Sequence, residues 1–462
     1  MIDFVQMLNS RSKVPLYQQL YEALAKAIQE GKLQAGEKLP GKRSMGGQLG
    51  VSVNTVDTAY QLLTAEGYLE SRPRSGFYVA QVQQLEQCPV LPVENPLPLP
   101  EEPRFNLSTG SIDNSLFPFR TWGRIQKELL YSRPQLLSQG VGQGDFSLRE
   151  ALAQHLAQYR GVRCSPQQIV VGAGIEYLLG LLVPLLGDTI AIENPGYPRA
   201  KKVIANGGAS CLPIAVDGQG LSVEELNQKD PQAVYVTPSH QFPTGVTMPV
   251  GRRTALLGWA YQKPHRLIVE DDYDSEFRFD LRPLPSLQGM DQQGRVVYIS
   301  TFSKSLAPSI RIACMVLPPC LQQKWNQRYG GYASTVSRFE QQTLCRFIQE
   351  GHFSRHLARL RNRYRKRMEQ LYHELTMRLG KKVKISGSHT GLHFLLTFPC
   401  CNEQELIEAA KQQGISVTGL SQYSIGSPKE KRAVILVGYG GLPEEQIPAA
   451  AQSLQQAWSK FL

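Results

Sequence analysis

The chain has 462 residues, of which 42% are hydrophobic, and it carries 50 lysines and arginines against 39 acidic residues, a formal net charge of +11. This length exceeds one ordinary hydrophobic core, so we expect two or more domains. The positive charge favours anionic partners, and the longest apolar run, residues 178–186, is too short to span a membrane. Eight cysteines without a CxxC pair favour a reducing compartment. No signal peptide is recognisable, so we expect a cytoplasmic protein without a membrane partner.

The first 80 residues have the pattern of a helix-turn-helix followed by a hairpin. The predicted elements are helices over residues 15–31, 43–49 and 53–66 and strands over residues 68–71 and 76–79. Gly50 ends the second helix, and Ser52 is placed to cap the third. The turn between the strands is basic, which suits a contact with phosphates. The segment therefore predicts a winged helix that binds DNA.

This segment resembles the winged helix of the GntR family over its whole length. The matching stretches are PLYQQL (15–20), GEKLP (36–40), LGVS (49–52), NTV (54–56), AEGYL (65–69) and SG (75–76). The resemblance implies that residues 1–80 bind double-stranded promoter DNA. The contact candidates are Arg43, Ser52, Asn54 and Thr55 around the third helix, and Arg72 and Arg74 in the wing. The alternative is a helical accessory domain that binds protein.

Two features of this segment predict weak DNA binding by a single copy. Gly41 and Val53 stand where the family usually has Ser or Thr and often Arg, respectively. The net charge of residues 1–80 is only +2. Because phosphate contacts supply much of the affinity for DNA, we expect specific binding to need two modules on a repeated site.

Residues 81–104 are predicted to form a linker between two domains. They include six prolines between Pro89 and Pro103, few charges and no helical or strand period. Such a segment is extended and semi-rigid. The large second domain is therefore predicted to cover residues 105–462.

The large domain alternates short apolar runs with amphipathic stretches. The strand candidates are residues 169–171, 189–192, 233–236, 267–270 and 296–299. Continuous apolar runs are typical of strands covered on both faces. The alternation predicts an α/β fold with a mainly parallel sheet, whose functional residues follow the carboxyl ends of the strands.

The turn after the last of these runs presents one lysine, Lys304, among hydroxyl groups and an arginine. Thr301 and Ser303 precede the lysine and Arg311 follows it. A lysine that forms a Schiff base needs a dry, fixed position, and hydroxyls with an arginine can hold a phosphate. The pattern suggests a lysine that binds pyridoxal 5'-phosphate; the alternative is a surface Ser-Lys loop.

Two other strand ends carry residues suited to the same cofactor. Gly174 opens a helix whose free N–H groups could bind a phosphate, although an ordinary tight turn has the same pattern. Asp271 could keep a pyridine nitrogen protonated, and Tyr273 could bond to the ring oxygen. The acidic cluster over residues 270–276 could instead bind a metal, but no matching ligand set occurs elsewhere, so we expect none.

From residue 105 onward the chain resembles a fold-type I, class I aminotransferase. The matching stretches are NPGY (194–197), TPSHQFPTG (237–245), EDDYDSEF (270–277), TFSK (301–304) continuing to Arg311, and GHFSRHLARLR (351–361). Such a domain joined to a GntR winged helix is typical of the MocR subfamily of bacterial transcription regulators. The resemblance implies a smaller C-terminal α/β subdomain and a homodimer.

The resemblance also implies roles for individual residues. Lys304 would form the Schiff base, Asp271 would pair with the pyridine nitrogen, and Tyr273 with the ring oxygen. The residues implied around the phosphate are Gly174, Ile175, Thr301, Ser303 and Arg311. The remaining assignments are Tyr197 over the ring face, and Arg199 and Arg432 for an effector carboxylate. Solvated surface arginines are the alternative for those last two.

Two departures from the aminotransferase pattern favour sensing over catalysis. Phe242 stands where an asparagine contacts the ring oxygen, and Gln139 stands where a tyrosine reaches a phosphate. The dense basic run over residues 355–367 could be a second DNA surface, although a solvated helix face is the commoner explanation.

These patterns predict a DNA-binding transcription regulator that depends on pyridoxal phosphate and senses an effector at Lys304. The effector would be pyridoxal phosphate itself or an amino compound such as an amino acid, GABA or taurine. Two alternatives remain at this level: a working aminotransferase whose winged helix is vestigial, and a regulator that has lost the cofactor.

Overall fold

The computed structural model describes residues 8–9, 12, 14–81, 102–279, 285–388, 390–399, 401–426 and 432–462. The chain divides into two compact units, residues 1–99 and residues 100–462. The division falls inside the predicted linker, most of which, residues 82–101, lies outside the described residues.

The N-terminal unit has three helices and a hairpin within residues 14–81. They are α1 (Leu16–Gln29), α2 (Lys42–Leu49), α3 (Val53–Ala65) and the antiparallel pair β1 (Leu69–Arg72) and β2 (Gly76–Val79). Gly50 ends α2 in the left-handed conformation, with φ of 64°. Ser52 caps α3, because its side chain accepts a hydrogen bond from the Thr55 N–H at 3.1 Å. The predicted winged helix is confirmed.

One apolar core holds this unit together. The predicted buried face of α3, which includes Val56, Tyr60 and Leu63, packs against Leu20 and Leu24 of α1. The Tyr60 hydroxyl donates a hydrogen bond to the Pro40 carbonyl at 2.9 Å. The core therefore fixes both α3 and the turn that precedes α2.

The second unit is built on a mainly parallel sheet, as predicted. Its strands are β3 (Phe105–Asn106), β4 (Ile169–Gly172), β5 (Thr189–Asn194), β6 (Ser210–Asp217), β7 (Gly220–Leu221), β8 (Ala233–Val236), β9 (Leu267–Asp272), β10 (Val296–Thr301) and β11 (Ala313–Val316), followed by β12 (Lys384–Ser386), β13 (His393–Phe398), β14 (Ile415–Ser416), β15 (Thr418–Gly419) and β16 (Ala433–Gly438). In the described residues, eight of them form one sheet in the order β4-β11-β10-β9-β8-β5-β6-β7. Strands β6, β5, β8, β9 and β10 run parallel, and β11 is antiparallel to both of its neighbours.

Helices cover both faces of this sheet. The helices of the second unit are α4 (Phe119–Ser132), α5 (Phe146–Arg160), α6 (Ile175–Leu186), α7 (Pro198–Asn206), α8 (Val223–Lys229), α9 (Val250–Tyr261), α10 (Leu287–Met290), α11 (Pro319–Tyr329), α12 (Arg338–Gln349), α13 (His352–Leu379), α14 (Glu403–Gln412) and α15 (Ile447–Trp458), of which the last two belong to the smaller subdomain. Alternate residues of β4 enter different cores: Ile169 and Val171 pack with α4, α5 and α12, whereas Val170 packs with α6, α7 and α11. Burial on both faces explains why the predicted strands are continuous apolar runs.

A smaller subdomain follows toward the C-terminus, as expected from the resemblance. Strands β12, β13, β16 and β15 form its antiparallel sheet, and β14 pairs in parallel with β3. Its core is built from α13, α14 and α15 against the sheet, with Trp458 and Phe394 fully buried.

The five predicted strands correspond to β4, β5, β8, β9 and β10, but β6 and β11 were not among the predictions. The sequence of β6, SCLPIAVD, has a polar residue at each end and Pro213 in its middle, so its apolar run is interrupted. Strand β11 pairs with β10 and with β4, which lies far away in the sequence. Periodicity within a segment does not report such distant pairing.

Candidate functional site

A cavity of about 560 Å³ lies at the carboxyl ends of the parallel strands. This volume is in the range of small-molecule sites. Its lining includes eight residues predicted to hold a cofactor: Ile175, Tyr197, Asp271, Tyr273, Thr301, Ser303, Lys304 and Arg311. Residues 108–110 and parts of the smaller subdomain complete the wall. The fold thus brings together side chains from four separate strand ends.

Lys304 follows β10 and faces this cavity. Its Nζ atom donates hydrogen bonds to the carbonyls of Thr109 at 2.8 Å and Gly110 at 3.0 Å. Burial lowers the pKa of Lys304 to about 8, although the charge of Asp274 opposes the shift. A lowered pKa leaves a larger share of the amine neutral at pH 7, and the neutral amine is the nucleophilic form.

Asp271, in β9, is a buried carboxyl group in the cavity wall. Its Oδ2 atom accepts a hydrogen bond from the Tyr235 hydroxyl, and its Oδ1 atom is buried with no hydrogen-bond partner among the described residues. Burial raises the pKa of Asp271 to about 8, against the opposing effect of the Tyr235 hydrogen bond. Because an unpaired buried polar atom is costly, Oδ1 is a natural partner for a cationic or N–H group of a ligand.

Another part of the cavity wall has the features of an anion site. Gly174 precedes α6 with φ of 91°, and the N–H groups of the first turn of this helix have no partner within the helix. A Cβ atom at Gly174 would lie 2.4 Å from Nη2 of Arg311, so only glycine leaves room for this guanidinium. The Thr301 and Ser303 hydroxyls, in the same cavity lining as Arg311, lie 2.8 Å apart.

Tyr273 has a partner that the sequence analysis did not identify. Its hydroxyl lies 2.9 Å from Nδ1 of His240, which lies 2.8 Å from Oδ2 of Asp274. The same histidine lies next to His393, with ring centroids 5.2 Å apart, and the pKa of His393 is lowered to about 3 by burial and by His240. The position of His240 in the turn that follows β8 was the available signal, because side chains at strand ends meet in this fold.

Arg199 and Arg432, the two candidates for an effector carboxylate, lie in different surroundings. Arg199 lines the cavity, but its Nη1 atom lies 3.0 Å from Oε1 of Glu176. Arg432 is exposed directly before β16 and is not part of the cavity lining. Oε2 of Glu176 also lies 2.9 Å from Nη2 of Arg311. This glutamate was not among the predicted site residues.

The two departures from the aminotransferase pattern lie in separate places. Phe242 lines the cavity and packs edge-on against Tyr423 and Tyr197, with ring centroids 5.0 Å and 6.0 Å apart. Its side chain has no hydrogen-bonding group to offer a ring oxygen. Gln139 is exposed in a different groove, which also includes Asp145 and Arg338.

The DNA-contact candidates cluster in the N-terminal unit. Arg43 on α2 and Asn54 on α3 are exposed. Ser52 and Thr55 are joined by a hydrogen bond of 2.8 Å between their side chains, so the cap engages both. In the hairpin, Arg72 packs over the Tyr78 ring with its Cζ atom 4.3 Å from the ring centroid, and Arg74 is exposed at the tip with φ of 63°.

The basic run of α13 serves two structural purposes. Arg361 donates to the Glu276 carbonyl, and the buried Arg367 pairs with Asp113 at 2.5 Å. Arg355, Arg359 and Arg363 are exposed.

Across the described residues, no group of three or more His, Cys, Asp or Glu side chains is placed to hold a metal ion. No helix within the described ranges is both long and apolar enough to cross a membrane.

Comparison with known proteins identifies both units. Residues 16–79 match the family described as "Bacterial regulatory proteins, gntR family", and residues 103–454 match "Aminotransferase class I and II". The chain is 38% identical over 467 residues to the uncharacterized HTH-type transcriptional regulator YdeL of Bacillus subtilis (strain 168), covering 99% of this chain and 100% of that one.

Two further relatives represent the whole chain and the large domain. The probable rhizopine catabolism regulatory protein MocR of Rhizobium meliloti is 34% identical over 473 residues, covering 98% of this chain and 95% of that one. The solved structure of a multiple substrate aminotransferase from Thermococcus profundus is 26% identical, with a TM-score of 0.69, covering 77% of this chain and 91% of that one. The chain therefore belongs to the MocR subfamily of GntR-type transcription regulators, in which a winged helix is fused to an aminotransferase-like domain.

Proposed function

We propose that this regulator binds pyridoxal 5'-phosphate at Lys304 and controls promoter DNA binding in response to an amine effector or to the cofactor itself. The observation that carries the proposal is one cavity whose lining combines a lysine with a lowered pKa, a buried carboxyl oxygen of Asp271 that has no partner among the described residues, and an anion site. This cavity belongs to a chain whose other unit is a winged helix.

The residues present fit the cofactor. Asp271 offers Oδ1, which is unpaired among the described residues, for a protonated pyridine nitrogen. Gly174 leaves space for Arg311, and the start of α6 supplies N–H groups for a phosphate. When bound, pyridoxal phosphate supplies an aldehyde that reacts with amines and a ring that withdraws electrons.

The chain's own residues then have distinct tasks. Lys304 provides the amine, and the Thr109 and Gly110 carbonyls hold its Nζ atom in place. His240 and Asp274 orient the Tyr273 hydroxyl at the cavity wall. Phe242, packed against Tyr197, provides an apolar surface that excludes water.

Promoter binding is assigned to the exposed residues of the N-terminal unit. Arg43 and Asn54 lie on the helix-turn-helix, and Arg74 lies at the tip of the wing. Because this segment carries a net charge of only +2, two copies of the module are needed for tight binding, and a homodimer supplies them. An effector controls this binding only if it binds one arrangement of the dimer better than the other.

Absorption spectroscopy tests the cofactor site. Purified protein titrated with pyridoxal phosphate should develop an absorption band shifted from that of the free cofactor, and Lys304→Ala should abolish the shift. Lys202→Ala, which removes an exposed lysine of α7, is the matched control and should behave as wild type. A spectrum that is unaffected by Lys304→Ala would refute the assignment of the lysine.

A promoter-binding assay tests the regulator. The Arg43→Ala and Arg74→Ala variants should each weaken binding of the chain's own upstream region, and binding should fall steeply with salt. Unchanged affinity in both variants would contradict the DNA assignment. Multiple turnover of an amino donor with a keto acid, without promoter binding, would instead favour a working aminotransferase.

A further inference from the structure

Glu176 connects the anion site of the cavity, at Arg311, to the part of the cavity around Arg199 and Tyr197, which is called the effector side below. It lies in the first turn of α6 and forms ion pairs with Arg311 at 2.9 Å and with Arg199 at 3.0 Å, through different carboxylate oxygens. The Tyr197 hydroxyl lies 3.4 Å from the oxygen that faces Arg199. Burial opposes ionisation, but Arg311 and Arg199 hold the pKa of Glu176 below its ordinary value, so the glutamate is charged at pH 7.

This arrangement leaves the effector side short of positive charge. Glu176 and the two arginines together carry a net charge of +1, and a phosphate dianion of about −2 at Arg311 would make the group negative. Arg432, the other arginine considered for a carboxylate, is not in the lining. Of the described lining residues, Arg199 and Arg311 are the arginines, and both already pair with Glu176.

Phe242 and Leu392 form an apolar part of the lining, and Phe242 packs against Tyr197 and Tyr423. The polar lining residues Ser108, Thr109 and Thr418 are uncharged. This surface favours the hydrocarbon part of a ligand, and none of these residues offers a positive charge to a carboxylate.

We infer that the effector is a primary amine with an uncharged, apolar body and no carboxylate, and that Glu176 sets this preference because its ion pair with Arg199 competes with a ligand carboxylate. The inference rests on the proposed function, because it takes the cavity to hold pyridoxal phosphate. It narrows the effector class, since amino acids, GABA and taurine all carry an anionic group that competes with Glu176.

The size of the effect follows from exposure. The Arg199 side chain is 71% exposed and that of Glu176 is 26% exposed, so solvent screens their interaction. An exposed pair of this kind changes an equilibrium by about two- to fivefold. Removing the Glu176 charge should therefore shift the preference between a matched amine and amino acid by about fivefold or less, while leaving the apolar contacts in place.

The test compares butylamine with 4-aminobutanoate, two primary amines of the same chain length that differ by the carboxylate. Full-length protein loaded with pyridoxal phosphate is titrated with each, and the half-saturating concentration is read from the change in cofactor absorption. Wild type should respond to butylamine at the lower concentration. Glu176→Gln should reduce the ratio of the two half-saturating concentrations, 4-aminobutanoate over butylamine, by about two- to fivefold. Glu224→Gln, which changes an exposed glutamate of α8, should leave this ratio unchanged.

The outcomes separate this inference from the proposed function. The wild-type ratio tests the ligand class without any substitution, so a variant that fails to fold does not remove the test. Wild-type protein that loads the cofactor but prefers 4-aminobutanoate overturns the inference alone, as does a folded Glu176→Gln variant with the wild-type ratio. Wild-type protein that forms no cofactor band overturns the proposed function, and the inference with it.

Discussion

The pH dependence of cofactor loading should report the titration of Lys304. Burial lowers the pKa of this lysine from 10.5 to about 8. At pH 7 the neutral share of the amine is then roughly one-tenth, whereas a lysine with the ordinary pKa would be neutral in roughly three molecules of ten thousand. The structure therefore predicts a nucleophile roughly 300-fold more available at neutral pH.

The direction follows from which form reacts. Below pH 8 most Lys304 amines are protonated, so the loading rate should rise about tenfold per pH unit up to about pH 8 and level off above it. Stopped-flow absorption after mixing with pyridoxal phosphate measures this rate. Exposed lysines in the Lys304→Ala variant provide the control, since their slow reaction should continue to rise to pH 10.

A second variant tests the cause of the shift. The charge of Asp274 raises the pKa of Lys304 against the effect of burial. Asp274→Asn should therefore lower the midpoint of the pH profile below that of wild type. A wild-type rate that rises without a plateau up to pH 10 would refute the argument, because it would show that the lysine is not desolvated.

Three further substitutions test other parts of the structure. Gly174→Ala should lower the melting temperature, because an alanine at a φ of 91° costs about 1–3 kcal/mol of folding free energy, and it should weaken cofactor binding by displacing Arg311. Gly251→Ala, with open space around it, should do neither. Equal melting temperatures and equal cofactor binding in the two variants would contradict this. Ser52→Ala should destabilise the N-terminal unit by about 1 kcal/mol and weaken promoter binding, and Ser52→Asp, which keeps a cap acceptor, should restore the stability seen in a thermal melt. Arg432→Ala should leave amine titrations unchanged, because this side chain is outside the cavity lining, and a weakened response would place it in the site after all.

The sequence alone determined the local elements and the family. Ser52 and Gly50 mark helix ends through their own backbone and side-chain chemistry, so α2 and α3 could be placed to within a residue. The apolar runs of β4, β5, β8, β9 and β10 predicted a buried, mainly parallel sheet, because both faces of such a sheet are covered. The motifs around Lys304 then identified the residues of one cavity.

Only the tertiary structure decided how those residues are paired. Glu176 meets Arg311 across 135 positions of sequence, and Lys304 meets the Thr109 carbonyl across 195. No periodicity encodes such contacts, since they arise when parallel strands bring their carboxyl ends to one edge of the sheet. For the same reason the sequence left both Arg199 and Arg432 as candidates, and the fold places Arg199, paired with Glu176, in the cavity lining and Arg432 outside it.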